Sequence, residues 1–150
     1  MPTMTIREII HTKGSHVLSM WPEHSLEDAI RRCDQQNVSS IVITDHSGQT
    51  IGMITDRLAL RALARYGTRA MTRPVTDFMM SPAPTCRLDD TVTEIMFRMT
   101  HDRFRHVVVI DQGKVAGIVS IGDLVKAKLH DADLESRILR ERALSRLAAE

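Results

Sequence analysis

The feature that most constrains this chain is that it repeats itself. Ser25-Leu26-Glu27-Asp28 reads as a capping box opening a helix, and Thr91-Val92-Thr93-Glu94, in the second half of the chain, reads as another. Behind the first lie Leu26, Ala29, Ile30 and Cys33, spaced as one apolar helix face; behind the second lie Val92, Ile95, Met96 and Met99, each at the same offset from its counterpart. The β-branched run Val38 to Thr44 returns as His106 to Ile110, and Asp45-His46-Ser47-Gly48 returns as the shorter turn Asp111-Gln112-Gly113. Beyond that turn the offset shortens by one position, so that Gly117 answers Gly52 and Ser120 answers Thr55.

Each copy reads strand, helix, strand, strand, helix. A unit of about 55 residues buries too little surface to be comfortable alone. The expected class is therefore α+β: two pseudo-symmetric β-α-β-β-α repeats packed face to face as one module, with ligand clefts in pairs beside the two strand-to-helix junctions. A short helix precedes the repeats, where Ile6, Ile9 and Ile10 sit at helical spacing before Lys13-Gly14. A long helix follows, because no glycine or proline interrupts the chain beyond Asp123. The expected divisions are an N-terminal helix at 1–12, a first repeat at 13–67, a linker at 68–76, a second repeat at 77–130 and a C-terminal helical extension at 131–150. Thr68 to Thr76, with Pro74 and no sustained apolar period, reads as the connection.

Composition removes several classes of function. With 150 residues and a formal net charge of +1, the chain offers no electrostatic case for nucleic acid or an anionic membrane surface. No apolar run approaches the ~18 residues of a membrane span, so a soluble, cytoplasmic chain is expected. Cys33 and Cys86, the two cysteines, form neither a disulfide framework nor a metal-ligand spacing, and His101 and His106 are five apart; no metal site is expected. No nucleophile with a neighbouring base, P-loop or dinucleotide fingerprint is present, so no catalysis is expected.

Gly117-Ile118-Val119-Ser120-Ile121-Gly122-Asp123 concentrates the chemistry. A strand ends there in a hydroxyl and a carboxylate at a helix start, where unpaired N–H groups and the helix dipole suit an anionic or polyhydroxylated ligand. In isolation Ser120 and Asp123 read first as a capping box. With Asp77-Phe-Met-Met-Ser-Pro, Asp90-Thr-Val-Thr-Glu-Ile-Met and Arg103-Phe-Arg-His-Val-Val-Val, however, the stretch resembles the ligand motif of a tandem pair of CBS (cystathionine β-synthase type) domains, a Bateman module. The resemblance spans roughly Val17 to Lys126.

It implies a regulatory module that binds AMP, ADP, ATP, NAD or S-adenosylmethionine in clefts between the repeats, acts as a homodimer and regulates an unidentified protein. It implies that Asp123 accepts from ribose hydroxyls, that Ser120 contacts sugar or phosphate, that adenine lies along Met80 to Thr85, Ser81 included, and that Arg103, Arg105 and His106 face phosphate. In the first repeat Thr55 is kept but Leu58 stands where the carboxylate belongs. Asp56, about 200° away round a helix, does not replace it. That cleft is either empty or takes a ligand held by backbone groups, Thr55 and Arg57, with Ser19 and Ser40 as further candidates. The alternative class is a constitutive dimerisation scaffold whose cleft is vestigial.

Overall fold

A computed structural model describes residues 3–149, so the outermost residues of the expected N-terminal helix and C-terminal extension lie outside the described residues. The elements run α1 (Ile6–Lys13), β1 (Ser19–Met20), α2 (Leu26–Gln36), β2 (Ser40–Thr44), β3 (Thr50–Thr55), α3 (Asp56–Tyr66), β4 (Thr85–Arg87), α4 (Val92–Asp102), β5 (His106–Asp111), β6 (Lys114–Ser120) and α5 (Ile121–Ala149). The β-α-β-β-α order thus occurs twice. Each repeat makes a three-stranded sheet, β1-β2-β3 and β4-β5-β6, whose first pair is parallel and second antiparallel.

Period-2 geometry explains why the central strands read as unbroken apolar runs. Ile41 and Ile43 face the helices of the first repeat, and Val107 and Val109 those of the second. Between them Val42 and Val108 point the other way, into a third core with Met53, Ala83 and Ile118 that joins the two sheets. Burial on both faces leaves no room for the polar alternation of a half-exposed strand.

The helix starts follow the sequence closely. Ser25 and Asp28 form the expected capping box, but at Thr91 only half of the second one forms, its Oγ1 accepting from the Glu94 N–H at 3.1 Å; Thr55 Oγ1 accepts from the Leu58 N–H in the same way at 3.2 Å. Thr55 as cap lets α3 begin at Asp56. The first strand of the first repeat is short, Ser19–Met20, and the Leu18 carbonyl before it accepts from the Val42 N–H. The connection is not irregular: it holds two 3-10 turns, Gly67–Thr72 and Val75–Asp77.

The segments that precede the repeats change places. Ile6 and Ile9 of α1 are buried among Val92, Ile95, Met99 and Val119 of the second repeat, whereas Ala70 and Val75 of the connection are buried against Leu26, Ile41 and Ile54 of the first. The backbone bonds echo one another: Ile6 N–H to the Asp90 carbonyl and Val92 N–H to that of Met4, Val75 N–H to that of His24 and Leu26 N–H to that of Arg73, all 2.9 to 3.0 Å. Both crossing segments press on a glycine. A Cβ on Gly117 would meet Ile10 Cδ1 at 2.6 Å, and one on Gly52 would meet Met79 Sδ at 2.6 Å and the Met80 carbonyl at 2.8 Å.

Candidate ligand clefts between the repeats

Because the preceding segments cross, each strand-to-helix junction faces the other repeat. The Ser120 junction opens on a cleft of about 320 Å³ whose other walls are Lys13 to Leu18, without Ser15, and Asn37 to Ser40. The Thr55 junction opens on a cleft of about 230 Å³ lined by Asp56, Arg57, Leu58 and Arg61 on one side and Met80 and Arg103 to His106 on the other.

The residues grouped in the sequence are thereby divided. Arg103, Arg105 and Met80 lie with Thr55 and Arg57, not with Ser120; Ser40, assigned to the first repeat's junction, lines the Ser120 cleft. His106 borders both. Ser81 donates to the Ile51 carbonyl at 2.7 Å and lines neither cleft. Thr85, on β4, borders a separate cavity with Asp111 to Gly113, and Ser19 is an exposed β1 residue whose carbonyl accepts from Arg32. The residues the sequence reading missed are Lys13, His16, Asn37, Ser39 and Arg61. Ser39 carried a signal, since the offset that relates the two capping boxes also relates it to Arg105. Lys13 carried none, because its place is set by the docking of α1 on the distant repeat.

Ser120 and Asp123 do form a reciprocal cap. Asp123 Oδ2 accepts from the Ser120 N–H at 2.8 Å, and Ser120 Oγ accepts from the Asp123 N–H at 3.1 Å. Lys13 Nζ adds a 2.6 Å bond to the same Oδ2 and one of 2.8 Å to the Ile118 carbonyl. The Asp123 side chain keeps 26% of its exposure. Burial on its own raises the pKa of this carboxyl, but the Lys13 ammonium and the Ser120 groups outweigh it and hold it below its ordinary 3.8. The result is an ionised carboxylate at a helix N-terminus with acceptor capacity left over. Lys13 lines the Ser120 cleft, and with Asp123 it also borders a groove between α1 and α5.

The Thr55 cleft has the opposite character. Leu58 supplies no acceptor, and Arg57, Arg61, Arg103 and Arg105 bring four guanidinium groups to its walls. Among the described residues none of the four has a carboxylate within 4.0 Å in an ion pair. Arg103 sits at φ 61°, the left-handed cap of α4, as Asn37 at φ 53° caps α2. A long side chain in that region is uncommon, and here it is turned toward the cleft.

His106 ties the clefts together. It opens β5 opposite Ser120, is 9% exposed, and its Nε2 lies 2.8 Å from Ser39 Oγ of the first repeat. Burial lowers its pKa below 6.5; Asp56 and Asp123 oppose that shift, and Lys13 and Arg105 add to it. A lowered histidine means that the unfolded chain takes up the proton first, so stability is full above pH 6.5 and falls as the pH drops below it. Denaturant midpoints are expected to decrease from pH 7.5 to pH 5.5, and less so in His106→Gln. Equal slopes in the two proteins would show that His106 is not held neutral.

Among the described residues no cluster of three or more His, Cys, Asp or Glu is placed to hold a metal ion, and no helix is long and apolar enough to cross a membrane. Cys33 and Cys86 are free.

Comparison with known proteins agrees with this geometry. The CBS domain family matches residues 6–65 and 75–130. The chain is 30% identical over 135 residues to the mitochondrial CBS domain-containing protein CBSX3 of Arabidopsis thaliana, covering 85% of this chain and 66% of that protein. Other curated relatives are also longer, the chain spanning 65% and 66% of two of them. The crystal structure of the CBS-domain containing protein ATU1752 from Agrobacterium tumefaciens superposes with a TM-score of 0.81 at 32% identity, covering 84% of this chain and 94% of that one. The CBS domain pair of protein MJ0100, in complex with 5′-methylthioadenosine and S-adenosyl-L-methionine, superposes with a TM-score of 0.77 at 21% identity, covering 87% and 99%. Two repeats, two sheets joined back to back and two crossed clefts therefore place this chain in the CBS-domain family, as a tandem pair of CBS repeats.

Proposed function

We propose that this chain is a regulatory module that binds an adenosine-type ligand, AMP, ADP, ATP or NAD, between its CBS repeats and performs no catalysis of its own. The observation that carries the reading is the ionised Asp123 at the N-terminus of α5, bonded to Ser120 and Lys13, two residues that line a cleft built from both repeats. Vicinal ribose hydroxyls are donors that such a carboxylate accepts, at about 1.5 to 3 kcal/mol for each charge-assisted bond. The pair of ligands bound by MJ0100, both built on adenosine, supports this ligand class. Phosphate belongs with the four arginines of the Thr55 cleft, so the two clefts are unequal: one suited to a ribose, the other to an anionic group.

Binding biases the angle between repeats, because His106 and Ser39 link the walls of the clefts across the two repeats. The acting unit is a homodimer, and its output is a changed surface offered to a regulated protein. A second reading, a dimerisation scaffold with a vestigial cleft, is favoured by one observation: Lys13 already occupies Asp123 Oδ2. Melting in the presence of AMP, ADP, ATP and NAD separates them. At 100 times its dissociation constant a true ligand stabilises by about 2.7 kcal/mol, a rise of several degrees. No shift with any of the four would leave the scaffold.

A further inference from the structure

Helix α5 has more length than its own module uses. Leu124 is fully buried, but Leu129, Leu139 and Leu147 are 66%, 65% and 68% exposed, on a helix that continues to Ala149. A helical tail of about 18 residues without tertiary support is marginal in water. Leu129, Ala132, Ser136, Leu139, Ala143 and Arg146 recur at alternating spacings of three and four, which makes one narrow coiled-coil seam with Leu134, Ile138, Leu144 and Leu147 off it. Charge is arranged along that seam in halves. Asp133 and Glu135 flank it first, Arg140 and Arg142 flank it one heptad later, on the same two sides.

We propose that α5 pairs antiparallel with α5 of a second copy of this chain, about a two-fold axis between residues 137 and 138. In that register Ala132 meets Ala143 of the other copy, allowing close approach. Asp133 meets its Arg140 and Glu135 meets its Arg142, each pair twice by symmetry. Antiparallel packing also sets the helix dipoles in opposition and keeps Ser136 against Leu139, whereas a parallel pair stacks Ser136 on its own copy in the centre of the seam. Asp133 is paired along its own helix with Arg137 at 3.2 Å; both are largely exposed, and exchanging such a surface partner costs little.

The surface proposed here rests on the two-copy reading above and is independent of any ligand. Sedimentation equilibrium of the full chain tests it. The wild type is expected at a multiple of 16.9 kDa, Arg140→Glu/Arg142→Glu at half the wild-type mass, and the same chain with Asp133→Arg/Glu135→Arg added back at the wild-type mass. Return to the wild-type mass on adding the second pair of reversals keeps the result from being a folding defect. In a Cys33→Ser background, Ala132→Cys is expected to form a disulfide with a chain carrying Ala143→Cys and none with itself; Cys86, 4% exposed and pushed up to about 12, stays out of the exchange. A monomeric wild type would overturn the two-copy reading and the seam together. A dimer indifferent to the charge reversals, or a self-disulfide of Ala132→Cys, would overturn the antiparallel seam alone.

Discussion

Asp123→Ala is expected to weaken binding of a ribose-bearing ligand by about two orders of magnitude or more, with roughly 1 kcal/mol lost from the stability of the free protein. The first number follows from the chemistry of the site: two hydroxyls accepted by one carboxylate, at about 1.5 to 3 kcal/mol each, amount to about 3 kcal/mol or more. The second follows from the cap. Ser120 Oγ still accepts from the backbone N–H at position 123, so the helix keeps half of its reciprocal pair, and Lys13, partly exposed, returns to water. Titration calorimetry reads the affinity and urea denaturation the stability. Asp123→Asn keeps an acceptor for the Ser120 N–H but loses the charge, so it is expected to recover the stability and not the affinity. Undiminished binding in Asp123→Ala would remove the ribose role from this residue and leave it as a cap alone.

Ile6→Ala is expected to cost about 2 to 5 kcal/mol, the range for emptying a fully buried isoleucine site. Its side chain is 0% exposed and sits among Val92, Ile95 and Val107, in the other half of the sequence. The damage is expected in the second repeat: hydrogen exchange should show the amides of α4 and β5 losing protection before those of α2 and β2. Leu147→Ala, on the exposed end of α5, is expected to change the same stability by less than about 0.5 kcal/mol. A loss below about 1 kcal/mol in Ile6→Ala would mean that α1 is not part of that core in solution.

The contrast between those two residues shows what could be read from the sequence. Capping boxes, apolar helix faces and β-branched runs are local, and they placed five helices and the paired sheets because hydrogen bonds and periodicity act over short stretches of chain. The duplicated offset then supplied a pseudo-symmetric pair, and comparing Asp123 with Leu58 identified unequal junctions. Docking is not local. Nothing near Ile6 says that it belongs to the second repeat rather than the first, and nothing near Arg105 says that it faces Thr55 rather than Ser120. The resemblance implied grouping Arg103, Arg105 and Met80 with Ser120, and the crossing of α1 and of the Ala70–Val75 segment sets them beside Thr55 instead. Lys13 was invisible for the same cause. The length of α5 was legible, because no glycine or proline interrupts the chain beyond Asp123.

That crossing gives the two clefts their different chemistry. The Ser120 cleft receives its far walls from Lys13 to Leu18, without Ser15, and from Asn37 to Ser40, while the Thr55 cleft receives arginines from the cap of α4. His106 stands in both, so the two clefts share one side chain in their walls.

Amide chemical shifts followed by NMR during titration with AMP, ADP, ATP or NAD test the central claim most directly. With a ligand that binds, the expected perturbations centre on Ser120, Gly122 and Asp123 together with Val17, Ser39 and Ser40 across the cleft, in one chain at once. Perturbations confined to a surface away from both junctions, or none with any of the four ligands at millimolar concentration, would contradict it.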